Sequence, residues 1–166
     1  MRNQFHSLRT ILVSLIFALL FGASISLAQA NNSEIDANKA VPIGFKVAAK
    51  QVLEAMNKWA RAWAQLDART YISSYSPNYI GKGFPSHFTW AASRQHRLEN
   101  QKSINLSLTD VELYSTKRDL FSISFTQHYS SDTYKDVTRK QLDFKQIDNI
   151  WYIIAEKTLP NQEKVK

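Results

Sequence analysis

Few side chains of this 166-residue chain have the types and spacing that catalysis or metal binding requires. The chain has no cysteine, so no thiolate is available as a nucleophile or as a metal ligand. His87 and His96 are nine residues apart and have no supporting carboxylate at zinc-site spacing. We therefore expect no metal and no other cofactor.

Two further catalytic patterns are missing from the sequence. No serine lies in a Gly-x-Ser-x-Gly elbow, so no motif of the sequence marks the nucleophile of a Ser-His-Asp arrangement. The pair Gly81-x-Gly83 is followed by Pro85 and not by the Lys-Ser/Thr of a phosphate-binding loop. His128 is expected on the outer face of a strand, His87 in a loop and His96 on a helix surface. Each histidine is therefore better explained by solvent contact than by a role as a base.

Hydrophobic periodicity predicts three helices in the first half of the folded region. Apolar residues recur every three or four positions over 45–66, which indicates an amphipathic helix. Asp67 can cap a short second helix over 68–74. A third helix is predicted over 89–101. These helices would form one layer of the domain.

After Lys102 the hydrophobic period changes from 3.6 to 2, which predicts strands. The alternation changes phase near Thr109 and Asp110, as at a β-bulge. Further strands are predicted over 120–130, 134–147 and 151–157, with a turn at Asp148-Asn149. Three helices followed by four antiparallel strands predict an α+β domain in which the sheet wraps a helix.

Residues 1–30 have the pattern of a secretory signal peptide. Arg2 and Arg9 begin it, an uncharged apolar run follows over 11–23, and small residues stand at Ala28 and Ala30. We predict cleavage after Ala30 and a periplasmic or secreted protein that has no contact with the membrane after cleavage. The alternative is an uncleaved anchor, for which the apolar run is short.

The remaining chain is predicted to form one domain. Residues 31–44 indicate a flexible lead-in, 45–159 the folded domain and 160–166 a polar tail. Without Arg2 and Arg9 the net charge of +7 falls to about +5. The basic residues are scattered, and no block is longer than Arg139-Lys140. We therefore expect an ordinary solvated surface and no nucleic-acid partner.

A series of loosely spaced motifs runs through almost all of this domain. They are Trp59-x3-Trp63-x3-Asp67, Tyr71-x3-Tyr75-Ser76-Pro77-x-Tyr79, Trp90-x3-Arg94-x2-Arg97-Leu98, Phe125-x-Gln127-x-Tyr129-Ser130-Ser131-Asp132-x-Tyr134-x-Asp136, Lys140-x-Leu142 and Trp151-x-Ile153-x2-Glu156. In order and spacing the chain resembles the NTF2-like superfamily, which includes ketosteroid isomerase and scytalone dehydratase. Within it, the chain is most similar to the Cds6-type domain attached to bacterial L,D-transpeptidases.

The resemblance implies an NTF2-like cone, with about three N-terminal helices on a curved, mainly antiparallel sheet of four or more strands. It places a ligand cavity between the concave sheet face and the helices. The implied inward residues on the strands are Phe121, Ile123, Phe125, Gln127, Tyr129, Lys140, Leu142, Phe144, Trp151 and Ile153. These implied positions include no aspartate or glutamate.

The candidate site implied by the resemblance is the open end of the cone, lined by Trp63, Tyr75, Arg94, Gln127, Tyr129 and Tyr134. An arginine, an amide and phenols between aromatic walls can bind a carboxylate-bearing or sugar-like ligand. The alternative is purely structural. Arg94 would then pair with Asp67 or Asp132, Gln127 would bond a backbone group, and the aromatic side chains would fill the cavity.

Three functions remain open at this stage. The first is an exported, non-catalytic accessory domain of the bacterial cell envelope that binds a partner protein or a peptidoglycan-derived ligand. The second is an isomerase-like or dehydratase-like enzyme that uses Asp67 at the pocket mouth with Tyr75 and Tyr129. L,D-transpeptidase activity is excluded for this cysteine-free chain. The third is a homodimer through the outer sheet face, although that face is polar, with Ser122, Ser124, Thr126 and His128.

Overall fold

The computed structural model describes residues 42–160, which form three helices followed by one four-stranded sheet. The helices are α1 (Ile43–Ala64), α2 (Ala68–Ser73) and α3 (His87–Glu99). The strands are β1 (Ile104–Lys117), β2 (Leu120–Ser131), β3 (Lys135–Ile147) and β4 (Ile150–Thr158). This order confirms the predicted α+β architecture. The predicted signal peptide, most of the lead-in and most of the polar tail lie outside the described residues.

Helix α1 packs one face against the sheet, as its periodicity predicts. Val52, Met56 and Trp59 lie at spacings of four and three on this face and are buried. The helix ends just before Leu66, whose positive φ of 59° cannot continue a right-handed helix. None of the helices in the described range is long and apolar enough to span a membrane.

The two shorter helices begin at polar caps. The Asp67 carboxylate accepts a hydrogen bond from the Thr70 backbone N–H at 3.0 Å, which confirms the predicted start of α2. Ser86 and Thr89 form a capping box at the start of α3. Helix α3 therefore begins two residues before the predicted position. The exposed Phe88 in its first turn breaks the apolar periodicity, and for that reason sequence analysis missed this turn.

The sheet is an antiparallel meander in the order β1-β2-β3-β4. Asp148 and Asn149 both have positive φ, which is the geometry of a type I′ hairpin turn, and the predicted turn is thereby confirmed. Between Thr109 and Glu112 the register of β1 shifts against β2, so the predicted bulge is also confirmed.

The core lies between the inner sheet face and the helices. Its fully buried members on the strands include Phe121, Ile123, Phe125, Leu142, Phe144 and Ile153. Trp59 of α1 packs against this face, with its ring centroid 6.1 Å from that of Phe125. Beyond Phe125 the inner face of β2 continues with Gln127 and Tyr129. At this point the apolar filling ends and polar side chains face inward.

A second bulge in β4 changes which side chains face inward. Phe144 pairs with Ile153 but Asp143 pairs with Ala155, so Ile154 is an extra residue in β4. Because of this insertion Glu156 pairs with the inward residue Leu142 and lies on the inner face. Asp136 also lies on the inner face, opposite Tyr129. The expectation that the inner face has no carboxylate is therefore wrong.

Candidate functional site

A cleft of about 360 Å³ opens where α1 and α3 face the inner side of β2 and β3. Its aromatic walls come from Trp63, Tyr71, Tyr129 and Tyr134. The Trp63 ring centroid lies 5.4 Å from that of Tyr129 and 5.6 Å from that of Tyr71. These contacts hold the rings in fixed positions around the space between them, as in many small-molecule pockets.

Most of the candidate residues meet in this cleft. Trp63, Arg94 and Gln127 line it, as do Tyr129 and Tyr134. Asp67 and Tyr75 are not among its lining residues. Five of the seven predicted site residues therefore line the cleft, and the two that do not are those that the enzymatic hypothesis needs most.

Asp67 is an exposed helix cap. Hydrogen bonds from Thr70 hold the pKa of its carboxyl below the usual value, and the nearby Arg69 acts in the same direction. A carboxylate with a lowered pKa is a weak base, and this one is already used by the helix terminus. In the structure Asp67 therefore acts as the cap of α2.

Tyr75 lies below the cleft, and every hydrogen-bonding position of its hydroxyl is occupied. It donates to Glu156 Oε2 at 2.9 Å and accepts from Trp59 Nε1 at 3.1 Å. The Tyr71 hydroxyl, 3.2 Å away, completes this set as a second donor to Tyr75. One hydroxyl has one proton and two lone pairs, so Tyr75 has no further group to offer a ligand.

Glu156 and Lys140 form an ion pair at the base of the cleft. Lys140 Nζ lies 2.6 Å from Glu156 Oε1, and their side chains are only 16% and 19% exposed. Burial alone would raise the pKa of Glu156, but the charge of Lys140 and the bonds from Lys140 and Tyr75 keep it below its usual value. Lys140 also lies 5.8 Å from the centroid of the Trp63 ring. Its charge is therefore neutralised within the cleft wall.

Arg94 is a half-buried cation that lines the cleft. Its charge favours the ionised form of Glu156, and it also moderates the pKa of Tyr79, which burial raises to about 12. None of the ion pairs found within residues 42–160 includes Arg94. The alternative in which Arg94 pairs with Asp67 or Asp132 is therefore not what the structure shows.

Three polar atoms of cleft residues are buried without a hydrogen-bond partner among the described residues. They are Arg94 Nε, Gln101 Oε1 and Gln127 Oε1. Gln127 is only 4% exposed. Buried polar groups are nearly always paired, and leaving one unpaired costs about 1–3 kcal/mol. Arg94, Gln101 and Gln127 therefore have polar atoms that no group within residues 42–160 satisfies.

The structure adds lining residues that sequence analysis did not select. Tyr71, Arg97, Gln101 and Asp136 line the cleft. All except Gln101 are in the motifs that carry the family resemblance, so their spacing was the available signal. Gln101 lies in the segment between α3 and β1, and no pattern in the sequence marks it.

None of the histidines within residues 42–160 lines this cleft. His128 is exposed on the outer sheet face as predicted, 3.1 Å from Thr109 Oγ1. His87 is the first residue of α3 and not a loop residue, and its Nδ1 lies 2.8 Å from the Tyr79 carbonyl oxygen. Over residues 42–160, no three histidine or carboxylate side chains are grouped closely enough to hold a metal ion.

The three helices, the antiparallel meander and the cleft between them define an NTF2-like α+β domain. Residues 51–157 match the family described as the Cds6 C-terminal NTF2-like domain, and the chain belongs to that family. The match covers most of the region that the resemblance indicated. Comparison with curated proteins returned no match.

Solved structures share the fold at low sequence identity. Bd1075 from Bdellovibrio bacteriovorus superposes with a TM-score of 0.61 at 20% identity, over 69% of this chain and 41% of that chain. The helical cell shape determining protein Pgp2 (K307A mutant) from Campylobacter jejuni gives 0.62 at 19% identity, over 68% and 41%. This chain therefore spans about two fifths of each of those proteins.

The fold also occurs as a free-standing protein. An NTF2-like family member from Streptomyces avermitilis, named as a candidate dehydratase, superposes with a TM-score of 0.59 at 17% identity. The match covers 71% of this chain and 99% of that one. At these identities the likeness establishes the fold alone.

Proposed function

We propose that this chain is an exported, non-catalytic binding domain of the bacterial cell envelope. Its cleft takes a carboxylate-bearing ligand, either a peptidoglycan-derived fragment or a segment of a partner protein. The observation that carries this proposal is the group of unpartnered buried atoms of Arg94, Gln101 and Gln127 within the described cleft. The guanidinium of an arginine that lines such a cleft is a strong donor to a carboxylate.

The envelope context is supported by two separate facts. Residues 1–30 have the order of basic, apolar and small residues that directs export. The fold recurs in a protein named for determining helical cell shape, of which this chain covers 41%. A role at the cell wall is consistent with both facts.

The non-catalytic part of the proposal is supported by the groups themselves. Asp67 caps α2, and the Tyr75 hydroxyl donates its one hydrogen bond to Glu156. Glu156 is ion-paired with Lys140, which favours its ionised form. A catalytic base normally needs a pKa raised towards neutrality, and the shifts of Asp67 and Glu156 go the other way.

The test is a calorimetric titration of muropeptides into the protein recovered after export. We expect saturable binding by wild type and a loss of about tenfold or more in Arg94→Ala, because a hydrogen bond to a charged group contributes about 1.5–3 kcal/mol. Tyr129→Phe reports whether the phenol at the cleft wall also contributes.

Arg61→Ala is the matched control, since Arg61 is an exposed arginine in the last turn of α1 and does not line the cleft. It should bind as wild type does. Binding that is unchanged in Arg94→Ala would contradict the cleft as the site. Absence of muropeptide binding by wild type would leave a partner protein as the ligand. Turnover of an enone or hydroxy-aromatic substrate that is abolished in Asp67→Asn would favour the enzymatic alternative.

Export is tested separately by mass spectrometry of the protein from the periplasm or medium. We expect a chain that begins at Asn31. A full-length chain held in the membrane fraction would contradict cleavage after Ala30. A homodimer through the outer sheet face stays a prediction, which the mass of the exported protein in solution tests.

A further inference from the structure

The unpartnered atoms of the cleft residues need both a hydrogen-bond acceptor and hydrogen-bond donors from a ligand. Arg94 Nε carries a proton and needs an acceptor, whereas Gln101 Oε1 and Gln127 Oε1 need donors from outside the described residues. A simple carboxylate would satisfy Arg94 alone. The two amide oxygens would then stay buried without partners, at a cost of about 1–3 kcal/mol each. A ligand that brings N–H or O–H donors together with its acceptor would satisfy all three atoms.

The charges around the cleft are divided in the same way. Arg94 and Arg97 come from α3, and Asp136 comes from the start of β3. Lys140 adds no free charge because Glu156 neutralises it. The cleft thus has a cationic side on the helix and a carboxylate on the sheet.

The strand register places the acidic group beside the amide. Asp136 pairs with Tyr129, and Thr138 pairs with Gln127, so Asp136 and Gln127 are diagonal neighbours on the inner face. The Thr138 hydroxyl donates to Asp136 and fixes its orientation. An ammonium group is the donor that suits a carboxylate and an amide oxygen at the same time.

We propose that the cleft recognises a zwitterionic α-amino-acid end of its ligand, with the carboxylate at Arg94 and the ammonium between Gln127 and Asp136. This inference rests on the proposed function and specifies the ligand class of the same site. The aromatic walls of Trp63 and Tyr129 then contact the rest of the ligand.

The test compares three small probes by NMR titration of the exported protein. Nε-acetyl-lysine has both charged groups of the α-amino-acid end and an uncharged tail. Nα,Nε-diacetyl-lysine lacks the ammonium, and Nε-acetyl-lysine amide lacks the carboxylate. We expect the first probe to bind at least about tenfold more tightly than either of the others, because each loses one charge-assisted pair.

Asp136→Asn separates the ammonium contact from general effects on the fold, because asparagine keeps an oxygen acceptor for Thr138. This variant should lose about tenfold in affinity for Nε-acetyl-lysine and nothing for the diacetyl probe. Asp132→Asn is the matched control, because Asp132 is exposed in the connection between β2 and β3, four residues before Asp136, and does not line the cleft.

Equal affinity for Nε-acetyl-lysine and the diacetyl probe would overturn this inference while leaving a carboxylate site at Arg94 intact. Failure of all three probes to bind would also overturn it. The proposed function would then be judged by the muropeptide titration alone, so the two failures are distinguishable.

Discussion

Replacing Glu156 by glutamine should destabilise the domain through the cation that it leaves behind. Lys140 Nζ now lies 2.6 Å from Glu156 Oε1, and its side chain is only 16% exposed. Glutamine has nearly the same shape and can still accept the hydrogen bond from Tyr75, but it cannot balance the ammonium charge. The change therefore isolates the electrostatic part of the interaction.

The expected loss is about 2 kcal/mol in the free energy of unfolding. Removing one partner of a buried ion pair costs about 3–5 kcal/mol. We take a lower figure because Lys140 lines the cleft and its flexible stem can turn towards solvent. For a domain of this size, about 2 kcal/mol corresponds to a drop of about 8 °C in Tm. Urea denaturation followed by tryptophan fluorescence measures the change.

The same variant has a defined pH dependence. The pKa of Glu156 in the folded state lies below its ordinary value of 4.5, so its stabilising contribution is present above the unfolded pKa. That contribution is lost as pH falls through the folded pKa. The stability difference between wild type and Glu156→Gln should therefore be largest at neutral pH and shrink below about pH 4.5.

Two further variants complete the design. The double variant Glu156→Gln/Lys140→Met removes the stranded ammonium and should recover most of the lost stability. Lys50→Met is the control, because it breaks a pair with Glu54 in which the two side chains are 81% and 64% exposed, and such pairs contribute at most about 1 kcal/mol. A stability difference that stays constant from pH 7 to pH 3, or a double variant as unstable as the single one, would refute the reasoning.

Two other changes test the packing and the outer sheet face. Gly81→Ala would place a Cβ in steric overlap with Cδ1 of the buried Trp90, so we expect a loss of about 3 kcal/mol in unfolding free energy by urea denaturation. In Gly44→Ala the new Cβ would lie 3.9 Å from the Arg118 side chain, which is an ordinary van der Waals contact, so this change should cost nothing. Arg139→Lys should lower the free energy of unfolding by about 2 kcal/mol in the same assay. The guanidinium of Arg139 donates hydrogen bonds to the Asp110 carbonyl, Glu112 and Ser124, and the ammonium of a lysine cannot make all three. A stable Gly81→Ala variant or a neutral Arg139→Lys variant would contradict these contacts.

The elements of the fold were predictable because each obeys a local rule. The periodicity of α1, the cap at Asp67 and the Asp148-Asn149 turn depend only on neighbouring residues, and all three were found. The bulge near Asp110 was visible because the alternation changes phase within one strand. The ends of α1 and α3 differed from the predicted ones by two residues. At the N-terminal ends the exposed Ile43 and Phe88 give no periodic signal, and α1 stops before the periodic Leu66 because that residue has a positive φ.

The chemistry of the cleft was less predictable because it depends on strand register and on distant partners. The bulge at Ile154 turns Glu156 inward, yet simple alternation from Trp151 and Ile153 points it outward. The Tyr75 hydroxyl has no free hydrogen-bonding position because it bonds Trp59 and Glu156. Glu156 is 81 residues away from Tyr75 along the chain. Gln101 joins the cleft only through the path of the chain after α3.

The most direct test of the cleft as a binding site is the NMR resonance of the Arg94 Nε–H group during a titration with muropeptide. This proton has no acceptor among the described residues. We predict that its resonance moves downfield and saturates with the ligand, while that of Arg61 stays in place. Saturable binding that leaves the Arg94 resonance unchanged would contradict the cleft as the ligand site.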